Sequence, residues 1–122
     1  MAWDAADEYI TLPATTNLSQ FTFVSVNSAG KIARPAAGGR VIGVLVSSGT
    51  QGGTATNPVG TVQIVGVAKV VAAGGGTKSG SLVYASTLGR ASTAAGAGYV
   101  IGYCVDGSSG STGRVVSVSL TR

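Results

Sequence analysis

Chemistry in this chain would have to come from a short inventory of side chains. The 122 residues hold no histidine, four carboxylates, eight Lys and Arg side chains, four tyrosines and one cysteine. Without histidine, the commonest general base and the commonest metal ligand are both missing. Asp4, Asp7 and Glu8 crowd the first eight residues and only Asp106 lies beyond them, which does not make an acid/base pair. Lys69 would be a nucleophile only if desolvated, and between Ala68 and Val70 it equally suits a strand edge, where lysine blocks pairing with other chains. Cys104, between Tyr103 and Val105 in an apolar run, reads as a small core residue, and one cysteine cannot form an internal disulfide. Gly74-Gly75-Gly76-Thr77-Lys78-Ser79 invites a phosphate-loop reading, but that motif needs Gly-Lys-Ser in succession and a helix after it. Gly96-Ala97-Gly98 misses the dinucleotide fingerprint, since the third glycine falls one residue late, at Gly102, inside a strand. The inventory predicts a protein that is not an enzyme and carries no cofactor and no metal.

The elements around these residues are duplicated. Val41-Ile42-Gly43-Val44-Leu45-Val46 returns 59 residues later as Val100-Ile101-Gly102-Tyr103-Cys104-Val105. At the same offset Val24 falls on Val83, Gly30 on Gly89, Lys31 on Arg90, Ala36 on Ala95 and Gly39 on Gly98. These are the glycines and apolar residues on which a strand-and-turn unit depends. Past Val46 and Val105 the copies part, and Gly60-Thr61-Val62 is expected to answer Gly113-Arg114-Val115 after a longer loop in the first copy.

Composition points to an all-β chain. Twenty glycines with many Ser, Thr and Ala would suggest disorder, but β-branched runs recur and only 10% of residues are charged. A chain of this length can bury a core, here built from Val, Ile, Leu and Ala. Phe21 to Val26 alternates as a strand, and Asn27-Ser28-Ala29-Gly30 turns it into Lys31 to Arg34, a hairpin signal. In the strand at 41–46, Ile42, Val44 and Val46 should share one face, and Gly43, like Gly102, should mark a bulge or a close approach of another backbone. Thr61 to Val71 is apolar on both parities and predicts one long strand covered on both faces. The closing run Arg114 to Thr121 alternates cleanly, with Val116, Val118 and Leu120 opposite Ser117, Ser119 and Thr121. No stretch of ten residues carries a helical apolar period with caps, so almost no helix is expected. The fold expected is a small barrel or sandwich of two similar β halves, about 21–71 and 80–122, within one domain over 18–122.

Residues 1–17 are expected as an N-terminal arm and connection, with Ile10-Thr11-Leu12 a short strand. The arm joins Asp4, Asp7 and Glu8 to Trp3 and Tyr9, while residues 9–122 set eight bases against one acid, a net +7. The bases are spread singly without interleaved aromatics, which disfavours nucleic acid as a partner. No basic and apolar leader opens the sequence and no apolar run spans a bilayer, so synthesis in a cytosol and no membrane partner are expected. Where the last strand has Ser117 and Ser119, the first copy has Ile64 and Gly66, so its outer face reads as more apolar. Trp3, Asp4, Asp7, Glu8, Tyr9, Val62 and Ile64 are therefore the candidate interface residues, for a shell or for sister subunits. The 47–60 loop, about as long as loops become without a function, is a second candidate.

The order of these motifs resembles the family of small decoration, or cement, proteins of tailed-phage capsids. The resemblance rests on the Gly-Lys/Arg and Ala-Ala-Gly turns, Val41-Ile42-Gly43-Val44, Val62-Gln63-Ile64-Val65-Gly66-Val67 and the stretch Lys78 to Tyr84. It continues through Gly89-Arg90, Val100-Ile101-Gly102-Tyr103 and the closing Val-Ser-Val-Ser-Leu, covering about 18–122. Where that family usually has Gly-Asp before its Leu-Val strand, this chain has Gly80-Ser81. The resemblance implies an all-β virion protein of a bacteriophage, made in the cytoplasm of an infected bacterium. It would bind the major capsid protein on the capsid exterior, commonly as a homotrimer, and hold the shell against internal pressure. The rival expectation is a virion-surface carbohydrate-binding or adhesion module, using the 47–60 loop and Tyr84, Tyr99 or Tyr103 to stack a glycan.

Overall fold

The computed structural model describes residues 8–16, 18–47, 58–73, 79–86, 88–93, 99–107 and 114–120. No helix occurs among them. They form ten strands: β1 (Glu8–Pro13), β2 (Phe23–Val26), β3 (Ile32–Ala33), β4 (Gly43–Leu45), β5 (Val59–Val65), β6 (Val67–Val71), β7 (Leu82–Ala85), β8 (Ala91–Ser92), β9 (Gly102–Asp106) and β10 (Val115–Leu120). Two five-stranded antiparallel sheets run β1-β5-β4-β2-β3 and β6-β10-β9-β7-β8, the same order twice. A parallel bridge from Ala14 to Ile32, and another from Ala72 to Ala91, brings the two outer strands of each sheet together. Each half is thus a sheet curled nearly into a small barrel, and the all-β duplicated fold expected from the sequence is present.

The hydrogen bonds repeat with the residues. Ile42 N donates to Val24 O as Ile101 N does to Val83 O, and Leu45 N to Thr22 O as Cys104 N does to Ser81 O. In the first hairpin the Asn27 side-chain oxygen accepts the Lys31 amide at 3.0 Å, and in the second the Ser86 hydroxyl accepts the Arg90 amide at 3.0 Å. Gly30 (φ 77°) and Gly89 (φ 73°) supply the left-handed residue both turns require. Phe21, with φ 62°, stands where the second half has Gly80. Its carbonyl accepts the Val71 amide at 2.8 Å, one of the bonds joining the halves.

Gly43 and Gly102 mark a close approach, as their place inside strands suggested. A Cβ on Gly43 would run into the Gln63 carbonyl oxygen, and one on Gly102 into that of Ser119. The alternation slips at this glycine. Ile42 packs with Leu45 in one core and Val44 in the other, so Ile42 and Val44 do not share the face that strict alternation assigns them.

Three boundaries differ from the sequence reading. Thr61 to Val71 is not one strand: Gly66, at φ 105°, ends β5 and starts β6 in the other sheet. The buried Gln63 amide nitrogen donates to the carbonyls of Val65 (3.1 Å) and Val67 (3.2 Å), satisfying the corner. The halves therefore meet at Gly66, not at 71. The short strand expected at 10–12 is present but longer, taking in Glu8 and Tyr9 of the expected arm and Pro13, and it forms the outer strand β1, whose counterpart is β6. Finally, Val62 lies beside Leu45 as Val118 lies beside Cys104, so Val62 answers Val118 and not Val115.

With that register, the cores compare position by position. In the first half Ile32 and Leu45 surround Gly60, where a Cβ would come within 2.8 Å of Ile32 Cδ1 and 2.5 Å of Leu45 Cδ1. Their counterparts in the second half are Ala91, Cys104 and Val116, all buried. Part of the bulk removed at two positions is restored at the third, a compensating exchange in a core that tolerates substitution when volume is roughly kept. Gly60→Val is accordingly expected to destabilise the protein by about 1–3 kcal/mol in urea unfolding. Adding Ile32→Ala should recover part of that loss, and strictly additive costs would disprove the exchange.

Candidate interaction surfaces

The side chains that could react do not converge among the described residues. Among the described residues no group of three or more His, Cys, Asp or Glu lies together. Cys104 is buried in the second core. Burial, and then the charge of Asp106, push its thiol above the ordinary value, which favours the protonated and unreactive form. Lys69 is exposed on β6, the outer strand of its sheet, where it covers an edge.

The candidate interface residues divide. Trp3, Asp4 and Asp7 lie outside the described residues, as does nearly all of the 47–60 loop, whose last two positions belong to β5. Glu8 and Tyr9 are exposed on β1, with Tyr9 opposite Gln63 in the ladder. Val62 is not a surface residue: it is fully buried inside the first barrel with Val24, Ile32 and Leu45. Matching Val62 and Ile64 to Val115 and Ser117 would put them on the outer side, but their counterparts are the inward Val118 and Leu120. Ile64 is half-buried and, with Ile10, Val26, Val41 and Ile42, lines a shallow apolar depression of about 340 Å3.

The more apolar outer face belongs to the second half, the reverse of the expectation. In the true register Ser117 and Ser119 are the counterparts of Thr61 and Gln63, not of Ile64 and Gly66. Exposed Val67, Tyr103 and Leu82 form one cross-strand row interrupted only by Ser119, with exposed Val105 and Val115 nearby. The sequence does not signal this face because its apolar residues come from four separate strands, each contributing only one or two.

A third feature lies where the halves join. Arg40 and Tyr99, equivalent positions of the two copies, stack with the guanidinium carbon 4.9 Å from the ring centroid. They border a groove of about 270 Å3 with Val41, Gly43, Val100, Ile101 and Leu120. Of the three tyrosines considered for stacking a glycan, Tyr99 and Tyr103 are exposed and Tyr84 is half-buried.

An all-β tandem of two curled sheets is the class that this geometry defines. No known family model matches the sequence, and no curated protein matches it. Among solved structures the chain is similar to the head fiber gp8.5 N base of bacteriophage phi29. The TM-score is 0.70 at 18% identity, with 95% of each chain covered. That likeness is one of fold, and it extends through both halves.

The thiol supplies a test of the core assignment. Because the folded thiol titrates above its unfolded value, its contribution to stability is complete below the unfolded pKa, about 8.5, and is lost as pH rises from there. The unfolding free energy of the wild type should fall more steeply above that pH than that of Cys104→Ala. Native protein should also resist thiol alkylation that proceeds readily in denaturant. Equal alkylation rates in the two conditions would contradict a buried Cys104.

Proposed function

We propose that this chain is a structural virion protein of a tailed bacteriophage. It decorates the outer surface of the capsid, binds the major capsid protein there as a homotrimer, and braces neighbouring shell subunits. The observation that carries the reading is the likeness of the whole fold to a phage head fiber base. The motif order that resembles capsid cement proteins supports it independently. Physically, the reading asks for shape and surface in place of reactivity. The described residues offer two rigid barrels, an apolar outer face on the second, and an exposed strand β1 leading from the acidic, aromatic N-terminal segment. Exposed charge pairs contribute about 1 kcal/mol or less and are screened beyond roughly 8 Å at physiological salt. Trp3 and Tyr9 would therefore supply most of the energy of an arm contact, and Asp4, Asp7 and Glu8 its direction.

The test uses capsids of the encoding phage assembled without the protein. Purified protein should bind them saturably and raise the temperature at which they release DNA. Removing residues 2–7 should lower occupancy with the barrels still folded. Absence of saturable binding would defeat the reading.

The rival is a carbohydrate-binding module at the virion surface, favoured by one observation, exposed Tyr99 held by Arg40 beside the junction groove. Binding of soluble host glycans that is abolished by Tyr99→Ala, with no affinity for capsids, would establish it instead.

A further inference from the structure

Because the two halves repeat, what covers a surface in one half indicates what fits the same surface in the other. In the register above, Ile10, Val26, Ile42 and Ile64 of the first half answer Ala68, Ala85, Ile101 and Leu120 of the second. The second set is covered: Ala68, Ala85 and Ile101 are buried, Leu120 packs against them, and the same core contains Phe23 and Val44 from the outer face of the first half. The first set forms the open apolar depression of about 340 Å3, in which Ile10 and Val26 are exposed. The inserting residues show the converse. Phe23 and Val44, paired across β2 and β4, are 0% exposed. Their counterparts Leu82 and Tyr103, paired across β7 and β9, are 40% and 51% exposed. The chain thus carries one internal contact of this kind and keeps the two matching surfaces exposed, a knob on the second half and a depression on the first.

We infer that Leu82 and Tyr103 of one copy seat in the depression formed by Ile10, Val26, Ile42 and Ile64 of a second copy. This repeats between chains the contact that joins the halves within each chain. A two-fold contact between the halves would have buried Leu82 and Tyr103 as fully as Phe23 and Val44, so the internal joint is head to tail. Its repetition is therefore heterologous, and such contacts end only when a ring closes or else run on as a fibre. The homotrimer proposed above is the closed form. The inference deepens that part of the proposed function by naming its surfaces, and it is independent of whether the trimer sits on a capsid.

The test is a mixing experiment on the full chain, read by size-exclusion chromatography with light scattering. One variant, Leu82→Asp with Tyr103→Ser, removes the knob; another, Val26→Asp, spoils the depression. All three positions are exposed, so circular dichroism and thermal unfolding should match the wild type. Wild type should run as a trimer and each variant alone as a monomer. An equimolar mixture should stop at a dimer of one variant with the other, because only one intact knob and one intact depression remain. A wild-type monomer at every concentration would overturn the inference, as would variants that keep the wild-type size. So would a mixture that stays monomeric or regains the full oligomer. Capsid binding by a monomeric wild type would defeat the docking alone, whereas a trimer of this behaviour that ignores capsids would defeat only the decoration.

Discussion

The contact of Phe23 and Val44 with the second half is the one on which the rest of the molecule depends. A half of about sixty residues is near the lower limit at which an apolar core sustains a fold unaided. The first half meets that limit with large side chains, Ile32, Leu45, Val62 and Leu18. The second sets Ala68, Ala72, Ala85, Ala91 and Cys104 among Val70, Val83, Val116 and Val118, smaller side chains than Ile32, Leu45 and Leu18, and its core takes in a phenylalanine and a valine from its neighbour. The backbone is drawn in at the same place. Phe23 N donates to Gly89 O at 2.6 Å and Val71 N to Phe21 O at 2.8 Å, while a Cβ on Gly89 would meet the Phe23 carbonyl at 2.5 Å. The turn glycine of the second hairpin is thus constrained twice, by its positive φ and by this approach, whereas Gly30 has open space around its missing Cβ.

That asymmetry accounts for how the copies diverged. Where backbone meets backbone, both keep the same residue, as at Gly43 and Gly102, because a Cβ in either would collide with a strand that cannot yield. Inside the cores the residues differ more freely, losses at some positions being partly offset at others, as between the Ile32, Leu45, Gly60 set and the Ala91, Cys104, Val116 set. On the outer faces Phe23 against Leu82, and Val44 against Tyr103, have changed size in opposite directions. There the surroundings differ most, one face covered by the other half and one turned outward.

Much of this was legible in the residues. The 59-residue offset fixed the hairpins and their glycines, and Val116 and Val118 on β10 point inward as their alternation required. What the pattern could not convey has definite physical causes. Valines continue through 62–71 on both sides of Gly66, so the corner is signalled only by one glycine and by a glutamine whose side chain bonds the carbonyls it exposes. The register after the long loop lies three residues from the one the motifs suggest, because Gly-Thr-Val resembles Gly-Arg-Val, whereas the ladders pair Val62 and Val118 with Leu45 and Cys104. That slip alone moved the apolar outer face to the wrong half and put Val62 on a surface. Only 10–12 of strand β1 is legible, because its burial is slight and its place is set by hydrogen bonding to β5 more than by apolar side chains.

A tandem of this kind has a built-in consequence for recognition. Joining two similar units head to tail buries one copy of the joint and leaves the complementary surfaces at opposite ends of the pair. Selection can cap those ends with polar residues, as terminal repeats of solenoids are capped, or keep them for association. Here Tyr103 and Leu82 remain apolar on one end, and Ile10 and Val26 on the other, in a chain where only 10% of residues are charged. Such faces are costly to leave in water and gain roughly 25 cal/mol per Å2 when covered. Among the described residues the single thiol is buried and no acidic or thiol cluster forms, whereas the apolar ends have a shape that a partner could cover. The duplication that makes the fold stable also determines where that shape is presented.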